Sequence, residues 1–267
     1  VGWEVGRLEG GYRNYRRAVI VDHGRLPRPL NLRVVCGMTG TGKSRLLRAI
    51  EEAGAQVLDL EALAAHRGSL LGSLPGEPQP TQKMFESRVW CAIRSFNPAR
   101  PVYVEAESRK IGELRVPEAL IDAMWKSECV VLEAPVAARV ALLKEEYSHF
   151  FEDVEALNGK LQRLVPLHGH AVVDGWKSLA LAGRWDKLTA ELLARHYDPA
   201  YTRSIGKLDL HRDHDTGFEE FGALHNHIDN PDVTALFRRP LCYRVQERPN
   251  ITGGPRTDSS PRWAPGG

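Results

Sequence analysis

Apolar residues recur along the chain in two rhythms. Short apolar runs at Leu32–Cys36, Gln56–Leu60, Val102–Glu105 and Cys129–Glu133 predict four β-strands. Between them the spacing turns helical. Residues 43–53 form one predicted helix, stopped at Gly54. Phe85, Val89, Ile93 and Phe96 share one face of another over 81–96, capped by Thr81 and ended by Asn97-Pro98. Pro117 and Pro135 each open a further helix, as first-turn prolines do. Strands alternating with helices imply an α/β fold, a mostly parallel sheet with helices on both faces. Beyond Pro135 no strand is evident until about 207. Residues 136–196 read as several helices, with apolar groups at Leu161, Leu164 and Val165 and then Leu188, Leu192 and Leu193. At the other end, Gly10-Gly11 opens a basic helix, and Pro27-Arg28-Pro29 breaks the chain before the first strand.

The first of these strands runs into Gly37-Met38-Thr39-Gly40-Thr41-Gly42-Lys43-Ser44, a P-loop pattern set between a strand and a helix. Glycines let backbone N–H groups turn inward around phosphate oxygens, and the following helix points its positive end at the anion. Gly37, Gly40, Gly42, Lys43 and Ser44 are therefore the expected phosphate-binding residues, with Ser44 placed for Mg²⁺. This makes the fold P-loop NTPase-like, followed by a helical segment. An acidic residue at a neighbouring strand end commonly supports the Mg²⁺, and Asp59, Glu105 and Glu107 are the candidates. Ligands of open parallel sheets sit beyond the strand carboxyl ends, which puts Arg67 and Arg109 on the P-loop edge as candidate anion contacts.

Composition changes this picture little. Of 267 residues, 42% are apolar and 26% charged, with a net charge of +2, so whole-chain charge favours no nucleic-acid role. A local case rests on Arg13, Arg16 and Arg17, interleaved with Tyr12 and Tyr15, as an RNA-contacting patch or the polar face of a surface helix. None of Cys36, Cys91, Cys129 and Cys242 forms a C-x-x-C pair, and three of the four read as small core residues. No signal peptide or apolar span of about 18 residues is evident, so a reducing cytoplasm is the expected compartment. His211, His214, Asp215, His225, His227 and Asp229 have spacings that suit zinc, but no scaffold is evident around them and no metal site is assigned there.

Several stretches in combination resemble the bacterial tRNA 2-selenouridine synthases, over about 10–205. They are the P-loop at 37–44, Val57-Leu58-Asp59-Leu60-Glu61, Ala65-His66-Arg67-Gly68-Ser69, 79–87, 104–112, Arg139, Glu146-Tyr147 and His196-Tyr197-Asp198-Pro199-Ala200-Tyr201. The resemblance implies a transferase acting on tRNA, exchanging the sulfur of wobble 2-thiouridine for selenium from selenophosphate. A geranylated intermediate implies geranyl diphosphate as second co-substrate. It adds Arg139 to the expected anion or tRNA contacts. Members join a rhodanese-like domain to the P-loop domain, so 1–30 is expected to be the end of that domain and a linker. The P-loop core is then 31–135, the helical segment 136–206, and 207–267 a divergent, partly disordered tail. None of the four cysteines matches the rhodanese site, which implies an altered or incomplete member. Mg²⁺ and ATP stay open as cofactors, no membrane partner is expected, and an ATP-dependent small-molecule kinase or a non-catalytic tRNA-binding fragment are the alternatives.

Overall fold

Alternation along the strands sends successive side chains to opposite faces, and this builds the sheet. In the computed structural model, which describes residues 6, 9–25, 30–69, 71–73 and 76–205, helix α1 (Gly11–His23) comes first. Strand β1 (Asn31–Gly37) follows, then α2 (Lys43–Glu52), β2 (Gln56–Leu58), α3 (Leu60–Ala64) and α4 (Gln82–Ser95). Strand β3 (Pro101–Glu105) leads into a two-stranded hairpin, β4 (Lys110–Ile111) and β5 (Leu114–Arg115), then α5 (Glu118–Trp125) and β6 (Glu128–Leu132). The four main strands pair in parallel in the order β2-β3-β1-β6.

Leu32, Val34 and Cys36 of β1, with Val102 and Val104 of β3, face one layer, where α4 supplies Phe85, Val89 and Ile93 and α5 supplies Leu120, Ile121 and Met124. Val35, Tyr103, Val130 and Leu132 face the other layer, against Leu46, Leu47 and Ile50 of α2. The α/β fold with helices on both faces is thus as the pattern implies. Thr81 caps α4, accepting from the Met84 N–H at 3.3 Å. The hairpin was not expected, its strands being too short for a period to show. Gln79 holds it, donating to the Ile111 carbonyl at 3.0 Å and accepting the Glu113 N–H at 2.9 Å.

The cysteines depart from the reading as separate core thiols. Cys36 lies opposite Val131 and Cys129 opposite Val34, so they share a face two positions apart, and they are joined as a disulfide. Cys91 is exposed, because it lies on the far side of α4 from Val89 and Ile93.

The helical segment runs α6 (Val136–Glu146), α7 (His149–Glu152), α8 (Val154–Gln162), α9 (Val165–His168), α10 (His170–Leu181) and α11 (Trp185–Leu192). A π-turn (Leu193–Tyr197) joins α11 to α12 (Asp198–Ile205). Leu157, Leu161, Leu164, Val173, Trp176, Leu188 and Leu192 form its own core. No helix among the described residues is long and apolar enough to cross a membrane. The expected tail from 207 and its histidine cluster lie outside the described residues.

Candidate functional site

The β1–α2 turn has the conformation its glycines allow. Gly40 and Gly42 sit at φ 82° and 86°, in the left-handed region that L side chains avoid. At Gly40 a side chain would also crowd Leu143 and the Arg139 carbonyl, at 3.0 and 3.1 Å. The first N–H groups of α2, unpaired within the helix, therefore face the loop's hollow. Lys43 reaches back to donate to the Gly37 carbonyl at 2.9 Å and pairs with Glu105 at 3.3 Å. Burial opposes its charge, but Glu105 and other nearby groups outweigh burial and raise its pKa.

Ser44 donates at 3.1 Å to Glu105 and at 3.2 Å to Glu61. Glu105 ends β3, and Glu61 lies in the first turn of α3, just past β2. Glu61, Glu105 and Glu107 bring carboxylate oxygens within 4.8 Å of one another. Burial, then repulsion from Glu105, pushes Glu61 up to about 8. Burial, Glu105 and Glu61 likewise hold Glu107 well above the usual carboxylate range. Oxygen donors in excess of local positive charge suit a hard divalent cation such as Mg²⁺, which would relieve that repulsion. Ser44, Glu61, Glu105 and Glu107 are the residues that would hold such an ion.

Of the three acidic candidates, Asp59 is elsewhere engaged. Its side chain caps α3 by accepting the Ala62 N–H at 2.8 Å. The sequence reading missed Glu61, two residues on, which the same strand-edge logic would have found had the short helix α3 been foreseen.

These groups line one cavity of about 1040 Å³. Arg67 and Arg109 line it too. Arg67 donates to the Glu146 carbonyl at 2.6 Å and lies 5.3 Å from the Tyr147 ring centre. Arg109 is more exposed, 4.8 Å from the Trp125 ring centre and paired with Glu118 at 3.0 Å. Arg139 departs from its expected role as an anion contact. It is 3% exposed, donates to the Thr39 carbonyl at 2.8 Å and pairs with Asp198. A guanidinium so engaged braces the loop from behind instead of meeting a ligand.

The basic helix α1 packs on α4 away from the cavity. Trp90 donates to Asp22 at 2.9 Å, and His23 meets the Glu86 carbonyl at 2.8 Å. Arg16 is paired with Glu86. Arg13 and Arg17, one turn apart, remain exposed beside Tyr12. A second, apolar pocket adjoins the cavity. Phe150, Phe151, Trp185, Leu188 and Leu192 line it, and it shares Thr39, Leu143, Tyr147 and Tyr197 with the larger cavity.

The family model described as the tRNA 2-selenouridine synthase AAA domain matches residues 30–166. The tRNA 2-selenouridine synthase of Aeromonas salmonicida is 31% identical over 228 residues, covering 75% of this chain and 60% of that protein. That of Shewanella piezotolerans is 34% identical over 241 residues, 77% of this chain and 63% of its own length. The Hydrogenovibrio crunogenus protein is 37% identical over 153 residues, 55% of this chain and 41% of its own length. The chain thus spans less than two thirds of these curated relatives. No solved structure matches it. With the family's domain running from the first strand of the sheet into the helical segment, the chain belongs to the tRNA 2-selenouridine synthase family.

Proposed function

We propose that this chain works in the conversion of tRNA wobble 2-thiouridine to 2-selenouridine, and that its cavity holds the diphosphate of geranyl diphosphate for the S-geranylation step. The observation that carries this is the meeting of Lys43, Ser44 and three carboxylates at a P-loop whose neighbouring pocket is apolar. Lys43 and the N–H groups opening α2 grip the diphosphate, with Arg67 and Arg109 at the rim. Bound Mg²⁺ would neutralise charge on the leaving diphosphate. The thiouridine sulfur attacks the first carbon of the geranyl group, the carbon–oxygen bond breaks, diphosphate leaves into the charges that held it, and the uridine N3 proton passes to solvent. Selenophosphate selenium then attacks C2 of the uridine, the C2–S bond breaks with geranylthiol leaving, and water cleaves the Se–P bond to give 2-selenouridine and phosphate.

The apolar pocket suits a prenyl chain better than a nucleoside, because bases and riboses need hydrogen-bond partners. Its free volume is about 60 Å³, so the Phe151–Trp185 stack, at 4.5 Å between ring centres, has to part for the chain to enter. Arg13 and Arg17 on α1 offer phosphate contacts to tRNA, as basic patches do.

Titration calorimetry with Mg²⁺ tests the assignment, comparing geranyl diphosphate, inorganic pyrophosphate and ATP. Burying about 100 Å² of prenyl surface contributes about 2.5 kcal/mol, so geranyl diphosphate should bind tens of times tighter than pyrophosphate. Equal affinity for the two would remove the prenyl pocket. Tightest binding of ATP, with phosphoryl transfer, would replace this reading by a kinase.

A further inference from the structure

Two residues of the last described helix hold the phosphate loop from outside. Asp198 opens α12 and takes the Arg139 guanidinium by two contacts, at 2.5 and 3.1 Å. Arg139 in turn donates to the Thr39 carbonyl in the crown of the loop. Tyr201 lies one turn further, on the same helix face. Its hydroxyl accepts the Gly37 N–H at 2.5 Å, and its ring centre lies 6.0 Å from the Lys43 Nζ. Gly37 directly, and Thr39 through Arg139, are thus tied to one helix turn more than 150 residues away in sequence. The π-turn before α12 takes up one extra residue, which rotates the helix face beyond it by about 100°. That rotation sets the phase in which Asp198 and Tyr201 meet the loop.

A glycine-rich loop loses much conformational freedom when it is ordered. A helix that already holds it removes part of that cost from ligand binding. Coupling of this kind is reciprocal, so a ligand that orders the loop must also secure the helix. We propose that Asp198 and Tyr201 are positioning residues of the phosphate site, and that occupancy of the loop and docking of α12 are coupled. The family's matched domain ends at residue 166, so this places part of the site outside it. The inference rests on the phosphate-binding reading above.

The test uses the full chain, Mg²⁺ and inorganic pyrophosphate. Tyr201→Phe keeps the ring and loses only the hydroxyl, and Asp198→Asn keeps the shape and loses the charge. Each should bind pyrophosphate about three- to tenfold more weakly, the span of one net hydrogen bond. Hydrogen exchange supplies a readout that a purely structural role would not move. Pyrophosphate at the concentration that just saturates the parent chain should slow amide exchange at 198–203 there, and should slow it far less in Lys43→Ala. Parent-like affinity in both variants overturns the proposal, as does exchange in α12 that ignores the ligand. A parent chain that binds no pyrophosphate overturns the phosphate-binding reading itself, a result distinct from either.

Discussion

Replacing Glu61 by Gln removes one negative charge from a cluster that holds too many. Glu61, Glu105 and Glu107 lie within 4.8 Å of one another, and Lys43 is the cation paired with Glu105. At that spacing two ionised carboxylates repel by about 3 kcal/mol at an effective dielectric of about 20. Burial and this repulsion raise Glu61 from 4.5 to about 8. Folded Glu61 therefore keeps a proton that the unfolded chain has already lost. Its contribution to stability is complete below pH 4.5 and is lost as pH rises through about 8. The full linkage across that window is about 5 kcal/mol, and water reaching a partly exposed group reduces it to about 1–3 kcal/mol. Gln carries no such cost. Glu61→Gln is expected to raise the melting temperature of the metal-free chain by about 3–10 °C at pH 8, with little change at pH 5. Thermal denaturation in EDTA from pH 5 to 9 measures this. The same variant should bind Mg²⁺ more weakly. A stability change that does not vary with pH, or a loss of stability at pH 8, would refute the assignment of Glu61 to a strained, cation-seeking cluster.

Lys43→Ala should weaken pyrophosphate binding roughly tenfold or more, since it removes a charge-assisted contact of about 1.5–3 kcal/mol, and calorimetry would show it. Replacing Arg13 and Arg17 with Gln should flatten the salt dependence of tRNA binding by about 0.7–0.9 per lost phosphate contact. Arg16→Gln, which breaks the pair with Glu86, should leave that slope nearly unchanged and lower thermal stability instead.

What the sequence made legible is what local patterns encode. Short apolar runs marked all four main strands, since helices cover the sheet on both faces and leave little room for polar alternation. The β1–α2 turn was legible because its glycines fall where the backbone takes a left-handed φ, with Lys43 and Ser44 opening the helix behind it. Glu105 was found by the strand-end rule. Glu61 was missed because α3 is only five residues long, too short for a helical period to show. Arg139 carried the right charge in the right region, but its partner Asp198 lies 59 residues away, and only tertiary packing shows that its fork is already engaged. Tyr201 was one residue of a resembling stretch without a role. Its contact spans 164 residues, and no local signal marks it. The two cysteines were read correctly as lying in apolar strands, while their pairing depended on the β1–β6 register.

The most direct measurement is nucleoside mass analysis of tRNA bearing 2-thiouridine after incubation with this chain, Mg²⁺ and geranyl diphosphate, with and without selenophosphate. The account predicts a geranylated 2-thiouridine that depends on geranyl diphosphate and is lost in Lys43→Ala. Unaltered 2-thiouridine, alongside phosphoryl transfer from ATP to a small molecule, would contradict it.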